Sequence, residues 1–172
     1  AGGAVNMANM VRAAVAKQLK LKPVDPPNKL PELAYYNPFN NRTYDDFADY
    51  QRDCGVCKPG RSWVGILMYR NNALSGKSET PIALAKALAE RGLNPLVTYG
   101  IKTDLEVEKL LLNEQGKSRV AGVLMLAGKF DMNPKTTVPL LQRLNVPFIN
   151  LITLMSHNRA QFEASPIGLD IM

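Results

Sequence analysis

The chain has 172 residues, of which 46% are hydrophobic and 21% charged, and its formal net charge is +6. This length and apolar content predict about one domain whose core needs no disulfide bonds, and the lack of an apolar run of roughly 18 to 20 residues excludes a membrane-spanning helix. The basic residues are dispersed and have no interleaved aromatic side chains, which argues against nucleic acid as a partner but is compatible with an anionic small ligand.

Residues 1–60 are predicted to form a helix, a Pro-rich crossing segment and a short helix, which either belong to a neighbouring domain or pack on the next one. Apolar residues at helical spacing indicate the first helix, from Val5 to Leu19. Five prolines between Lys22 and Arg42 exclude a regular helix and a central strand, whereas the aromatic residues there predict a segment pinned to a neighbouring surface. Thr43 is predicted to cap a helix from Tyr44 to Asp53.

Residues 61–172 are predicted to form an α/β domain that is truncated at its C-terminus. Trp63 opens a nearly continuous apolar run, which is typical of a strand buried on both faces and therefore of a parallel sheet. A polar loop of about ten residues follows this strand, and three more strands, at 96–101, 120–126 and 147–152, alternate with helical patterns. One of those helices begins at a capping box, Thr103 to Glu106. We expect a flavodoxin-like, doubly wound sheet of about four strands in the order 2-1-3-4, counted from Trp63.

Ligands of such sheets bind beyond the carboxyl ends of the strands. The loops predicted to meet there are residues 70–79, 127–133 and 153–158. Polar side chains and a loop glycine in these segments are the ligand-binding candidates: Arg70, Asn71, Asn72, Ser75, Gly76, Ser78, Lys129 and His157. Cationic side chains among them can pair with carboxylates, and the start of the following helix attracts anions.

The polar loop after the first strand also invites comparison with a phosphate-binding loop, because Ser75 to Ser78 reads Ser-Gly-Lys-Ser. That motif requires a glycine where this chain has Asn71, so the spacing argues against nucleotide hydrolysis. No catalytic residues are predicted, because neither paired carboxylates nor a Ser-His-Asp arrangement can be identified.

Cys54, Cys57 and His157 are the strongest candidates for metal ligands, but three ligands do not complete a tetrahedral zinc site. We therefore predict two ordinary thiols at a helix end and no metal site, with a metal-binding regulator as the alternative. His157 is the single histidine, and it could contact a ligand or only take part in hydrogen bonds within its own loop.

Three stretches taken together resemble the large subunit of cobaltochelatase, of the CobN type, and the H subunit of magnesium chelatase. The first is Gly2-Gly3 with Asn6 and Asn9, and the second runs from Gly65-Ile66-Leu67-Met68-Tyr69-Arg70 through Ser75-Gly76 to the segment from Ile82 to Leu93. The third runs from Gln161 to Leu169 and differs from the family pattern at Phe162, where tryptophan is usual. Their order and spacing carry the resemblance over nearly the whole chain.

The resemblance implies a fragment of the tetrapyrrole-binding large subunit of an ATP-dependent chelatase, which inserts Co²⁺ or Mg²⁺ into a corrin or porphyrin ring. The tetrapyrrole and the metal would be substrates of the parent enzyme, AAA+ ATPase subunits would hydrolyse the ATP, and the fragment would neither bind a cofactor of its own nor be active alone. Its expected partners are the tetrapyrrole, those ATPase subunits and the rest of the large subunit. The expected location is the cytoplasm, without association with a membrane. The alternatives are a non-catalytic interaction module and a chelatase-like protein that handles haem in an uptake system.

Overall fold

The computed structural model of the chain describes residues 4–20, 26, 29–75, 78–126, 134–151 and 158–166. Six strands in these residues form one sheet with the order β2-β1-β4-β3-β5-β6. The strands are β1 (Ala34–Asn37), β2 (Arg42–Tyr44), β3 (Trp63–Tyr69), β4 (Asn94–Gly100), β5 (Gly122–Met125) and β6 (Phe148–Asn150).

The four strands β3 to β6 run parallel to one another. Their order β4-β3-β5-β6 is the order 2-1-3-4 predicted from Trp63 onward, so the α/β class and the parallel arrangement are confirmed. Ile66, Leu67 and Met68 in β3 have no exposed surface, as expected for a strand covered on both faces. The predicted count of about four strands is too low, because the sheet also contains β1 and β2.

The prediction that the Pro-rich segment cannot contain a central strand is wrong. β1 lies inside the sheet, where it pairs antiparallel with β2 on one side and with β4 on the other. Pro31 and Pro38 flank β1 but do not lie within it, so every residue of the strand keeps its backbone N–H group. The sheet therefore contains strands from both sides of residue 60.

Seven α-helices lie in the described residues, and the fifth continues into a π-helical turn at Val107–Leu111. They are α1 (Ala4–Leu19), α2 (Phe47–Asp53), α3 (Arg70–Ser75), α4 (Glu79–Glu90), α5 (Thr103–Glu106), α6 (Pro134–Leu144) and α7 (Arg159–Ala164).

Three local predictions about the helices are wrong. α2 is capped by Asp46, whose carboxylate accepts hydrogen bonds from the N–H groups of Ala48 and Asp49, and not by Thr43. α3 begins directly after β3, where a continuous polar loop was expected. Thr103 does not form a capping box with Glu106: the N-cap of α5 is Lys102, without a side-chain cap hydrogen bond.

Each face of the sheet packs against its own set of helices. Ala73 of α3 and Ala85 of α4 are buried against one face. The sheet residues of that face are Ala34, Tyr36, Ile66, Met68, Val97 and Tyr99. The other face packs against α2, the π-helical turn and α6. Its sheet residues are Tyr35, Leu67, Leu96, Val123 and Met125. This two-sided covering leaves the ends of the strands as the places where polar groups converge.

The N-terminal helix α1 exposes its apolar side chains. Five large hydrophobic residues are between 46% and 66% exposed, namely Met7, Met10, Val11, Val15 and Leu19. Among the side chains of α1 that the structure describes, only Ala16 is buried. The expected packing partner of this helix is therefore not found among the described residues. No helix in the described part of the chain is long and apolar enough to cross a membrane.

Candidate functional site

The carboxyl ends of β3, β4, β5 and β6 lie at one edge of the sheet, because these strands are parallel. The antiparallel β1 begins at this same edge, since Ala34 pairs with Tyr99 near the end of β4. The described segments that reach the edge therefore include the residues just before β1 as well as residues 70–75 and 78–79 of the first predicted loop. Gly76, Lys129 and His157 lie outside the described residues, so their assignment to this site stays a prediction.

Arg70 binds the segment that precedes β1. Its Nε donates a hydrogen bond to the carbonyl oxygen of Pro31 at 2.8 Å, and its Nη2 donates to that of Leu30 at 2.7 Å. A guanidinium carries five N–H donors, so these two bonds leave three others for a ligand. The half-buried Arg70 thus holds residues 30–31 across the edge of the sheet and still presents positive charge there.

Three further candidates lie on α3. Asn71 and Ser75 are exposed, whereas Asn72 is half-buried. The Ser75 hydroxyl donates to the carbonyl oxygen of Asn72 at 3.3 Å within the helix. Because Arg70 opens the same helix, α3 brings four of the predicted site residues to the end of β3.

Ser78 precedes α4 and makes no side-chain hydrogen bond to the N-terminus of that helix. Its side chain instead hydrogen-bonds to Tyr36, and this bond partly offsets the effect of burial, which raises the pKa of the Tyr36 hydroxyl. Tyr36 in turn donates to Oδ1 of Asn41 at 2.8 Å. Ser78 is therefore connected to β1 and to the β1–β2 turn.

Tyr99 places a buried hydroxyl near this edge. Its side chain is 0% exposed, and its ring lies edge-on to that of Tyr36 with centroids 6.2 Å apart. Burial raises the pKa of Tyr99 to about 12, while the positive charge of Arg70 acts in the opposite direction. A side-chain hydrogen bond with Thr43 in β2 also lowers this pKa, so the hydroxyl is enclosed within the sheet and we assign it no contact with a ligand.

Glu106 is a buried carboxyl group beneath the end of β4. It is 1% exposed, and its Oε1 accepts a hydrogen bond of 2.6 Å from the Thr98 hydroxyl. Burial raises the pKa of Glu106 to about 8, and the bond from Thr98 lowers it only in part. A side chain on Gly100 would lie 3.1 Å from both Glu106 and Leu33, so glycine permits this close packing. Glu106 is enclosed by the protein, and we assign it a structural role.

The cysteine prediction needs correction, because Cys54 and Cys57 form a disulfide and are not free thiols. In this state they cannot act as thiolate metal ligands. The part of the chain that the structure describes contains no group of three or more His, Cys, Asp or Glu side chains that could hold a metal ion.

Sequence reasoning missed Tyr99, Tyr36 and Glu106 at or beneath the edge. The apolar pattern around Tyr99 correctly predicts a buried strand, but it carries no signal for the position of the tyrosine hydroxyl. Glu106 matches the local pattern of a capping box, whose usual role for a glutamate is a solvated one at a helix N-terminus. Its burial depends on Thr98 and Gly100 in β4, a contact that the helix sequence does not encode.

A solved structure with a similar fold is the catalytic subunit of cobaltochelatase from Mycobacterium tuberculosis. The TM-score is 0.66 at 19% sequence identity, and the match covers 98% of this chain but 14% of that one. The chain thus spans about a seventh of that relative's length. No curated protein sequence matches the chain.

The family model described as CobN/Magnesium Chelatase matches residues 1–172, which is the whole chain. This match confirms the resemblance inferred from the three sequence stretches. The chain belongs to the CobN/magnesium chelatase family.

Proposed function

We propose that the chain is part of the tetrapyrrole-binding large subunit of an ATP-dependent metal chelatase, which inserts Co²⁺ or Mg²⁺ into a corrin or porphyrin ring. Family membership over the full length supports this function. Because the chain spans 14% of the similar cobaltochelatase subunit, metal insertion would require the rest of that subunit, and AAA+ subunits would supply the energy of ATP hydrolysis. The role of this part is to help enclose the macrocycle.

The observation that carries the proposal is the set of polar groups at the carboxyl edge of the sheet. Arg70 keeps three N–H donors, and α3 adds the exposed amide of Asn71. Biological tetrapyrroles carry carboxylate side chains on an apolar ring, and charge-assisted hydrogen bonds to such carboxylates are the strong ones. The net charge of +6 favours an anionic ligand of this kind.

Lys129 and His157 complete the proposed site on the basis of the sequence. They belong to the loops that follow β5 and β6, and parallel strands end at a common edge. We assign Lys129 to a carboxylate of the macrocycle and His157 to a polar contact near the ring. Asn72, Ser75 and Ser78 line the side of the proposed site next to α4, and Gly76 is assigned to the same side from the sequence.

Removal of the Lys129 charge should weaken tetrapyrrole binding roughly tenfold, because one charge-assisted hydrogen bond is lost. The measurement is an absorbance or fluorescence titration of the chain, and of the large subunit that contains it, with a metal-free porphyrin and a metal-free corrin. Lys58→Ala is the matched control. It removes the same charge from an exposed lysine at the opposite end of the sheet, next to the first residue of β4.

Equal affinities of Lys129→Ala and wild type would contradict the assignment of this loop. Weakening of the same size in Lys58→Ala would show that only the overall charge matters. Strong preference for iron porphyrin over the metal-free rings would favour the alternative of a protein that handles haem in an uptake system.

A second candidate function, a non-catalytic interaction module, is favoured by the exposed apolar face of α1. At 100° per residue, Met7, Val11, Val15 and Leu19 follow one side of the helix, and all four are exposed. A contiguous apolar face in water indicates a protein contact. In this function α1 docks on the ATPase subunits or on the rest of the large subunit.

Val11→Glu should reduce binding to the ATPase subunits by at least roughly tenfold if α1 docks on them, because a charge is placed in the centre of the apolar face. Ala13→Glu adds the same charge to an exposed position on the far side of the helix and should bind normally. Both variants should unfold at the wild-type temperature, since both positions are exposed. Surface plasmon resonance with each variant measures the effect, and equal affinities would exclude this face as the contact.

A further inference from the structure

The disulfide between Cys54 and Cys57 lies at the end of the sheet opposite to the candidate ligand site. Cys54 closes α2 as its C-cap residue, and the Cα atoms of the two cysteines are 5.6 Å apart, within the usual range for disulfides. Gly55 between them has a φ of +72°, a conformation that side chains rarely adopt, so glycine permits the tight turn. The short CxxC loop is thus shaped to bring the two sulfur atoms together.

The two cysteines differ in exposure. Cys54 is 2% exposed and packs in the core on the α2 face of the sheet. Cys57 is half-buried and lines a hollow of about 160 Å³. The other residues of this hollow are Gln51, Lys58, Pro59, Trp63 and Asn94. A small molecule in the hollow therefore contacts Cys57 and not Cys54.

We propose that Cys54 and Cys57 form a reversible redox site that reacts with low-molecular-weight thiols of the glutathione class, with Cys57 as the attacked and Cys54 as the resolving cysteine. In reduction, the thiolate of the small molecule attacks Sγ of Cys57, the protein S–S bond breaks, and Cys54 leaves with the electron pair and takes up a proton. A second small thiolate then attacks the small molecule's own sulfur in the mixed disulfide. Cys57 leaves and is protonated, so two thiols are oxidised to one small disulfide while the protein disulfide is reduced to two thiols.

The contacts that hold the loop in place do not depend on the disulfide. Nδ2 of Asn94 donates to the carbonyl oxygens of Lys58 and Arg61, at 2.8 and 3.3 Å, and its Oδ1 accepts from the N–H of Lys58 at 2.8 Å. None of these bonds involves a sulfur atom. Sγ of Cys57 lies 3.8 Å from the carbonyl oxygen of Pro95, which can accept a weak hydrogen bond from the reduced thiol. Reduction therefore opens the disulfide without releasing the loop from β4, and this makes the reaction reversible.

Trp63 is the single tryptophan of the chain and lines the same hollow as Cys57, so it reports on the disulfide. The full chain is equilibrated in mixtures of reduced and oxidised glutathione, acid-quenched, alkylated and weighed by intact mass spectrometry, while tryptophan emission is recorded in parallel. We expect two thiols per chain to become reactive together, emission to rise as the quenching disulfide opens, and both changes to reverse on oxidation. Peptide mapping should place the trapped mixed disulfide on Cys57. Two thiols that stay free at every ratio, or a mixed disulfide on Cys54, would overturn the proposal.

Single variants give an independent test. Cys54→Ser leaves the accessible Cys57, which should be glutathionylated by oxidised glutathione at least roughly tenfold faster than the buried Cys54 that remains in Cys57→Ser. Circular dichroism establishes that each variant is folded before the rates are compared. Equal rates in two folded variants would refute the assigned roles. The mapping experiment on the wild-type chain needs neither variant, so it tests the proposal even if one of them does not fold.

Discussion

Glu106→Gln should stabilise the protein by about 3 kcal/mol more at pH 7 than at pH 4.5. Burial raises the pKa of Glu106 from 4.5 to about 8 in the folded protein. Between these two values the folded state keeps the proton and the unfolded state loses it, so wild-type stability falls by about 1.4 kcal/mol per pH unit. Below pH 4.5 both states are protonated and this penalty is absent. Glutamine cannot ionise, and its amide oxygen can still accept the hydrogen bond from Thr98.

Urea unfolding of both proteins at a series of pH values measures this effect. The difference in unfolding free energy should grow from pH 4.5 to pH 8 and then stay level. Glu114→Gln is the matched control at an exposed position and should follow the wild-type pH dependence. A constant difference between Glu106→Gln and wild type over this range would mean that the carboxyl group is solvated in the folded protein.

Tyr50→Phe should lower the unfolding free energy by about 2 to 4 kcal/mol, although it removes a single oxygen atom. The Tyr50 hydroxyl donates to the carbonyl oxygen of Pro95 at 2.9 Å and accepts from the N–H of Val97 at 3.2 Å. β4 pairs with β1 at Thr98 and Tyr99. Tyr50 therefore binds the part of the β4 backbone that directly precedes the residues paired with β1. Phenylalanine would leave both buried backbone groups without this partner.

Thermal and urea unfolding of Tyr50→Phe should be compared with Tyr69→Phe. Tyr69 lies in the neighbouring strand β3 but is 45% exposed, so loss of its hydroxyl should change stability by less than about 0.5 kcal/mol. Similar losses in the two variants would show that the bonds to Pro95 and Val97 contribute little.

The parallel part of the sheet could be predicted because its signals are local and repeated. A buried strand such as β3 is nearly continuous in apolar residues, and each crossover must contain a helix, so the alternation of the two patterns determines the class of the fold. β1 could not be predicted in the same way. It has four residues between prolines and is stabilised by pairing with β4, which is distant in the sequence.

The sequence predicts at which end of the sheet the candidate site lies, but it does not predict the contacts that the site residues make. Strand direction alone places Arg70 at the carboxyl ends of the parallel strands. Its bonds to Leu30 and Pro31 depend on how the preceding segment crosses that edge, which sequence spacing does not show. The disulfide was missed for a similar reason: the CxxC spacing allows free thiols, a metal site or a bond, and the choice depends on the surrounding packing.

The position of β1 between β2 and β4 has a consequence for the newly synthesised chain. A ribosome completes the β1–β2 hairpin long before β4, so the side of β1 that later meets Tyr99 and Thr98 is at first an open edge. Unpaired strand edges readily pair with other polypeptides. We expect a chaperone to protect the hairpin from such pairing during this interval. The protection is no longer required once β4 emerges and pairs with β1.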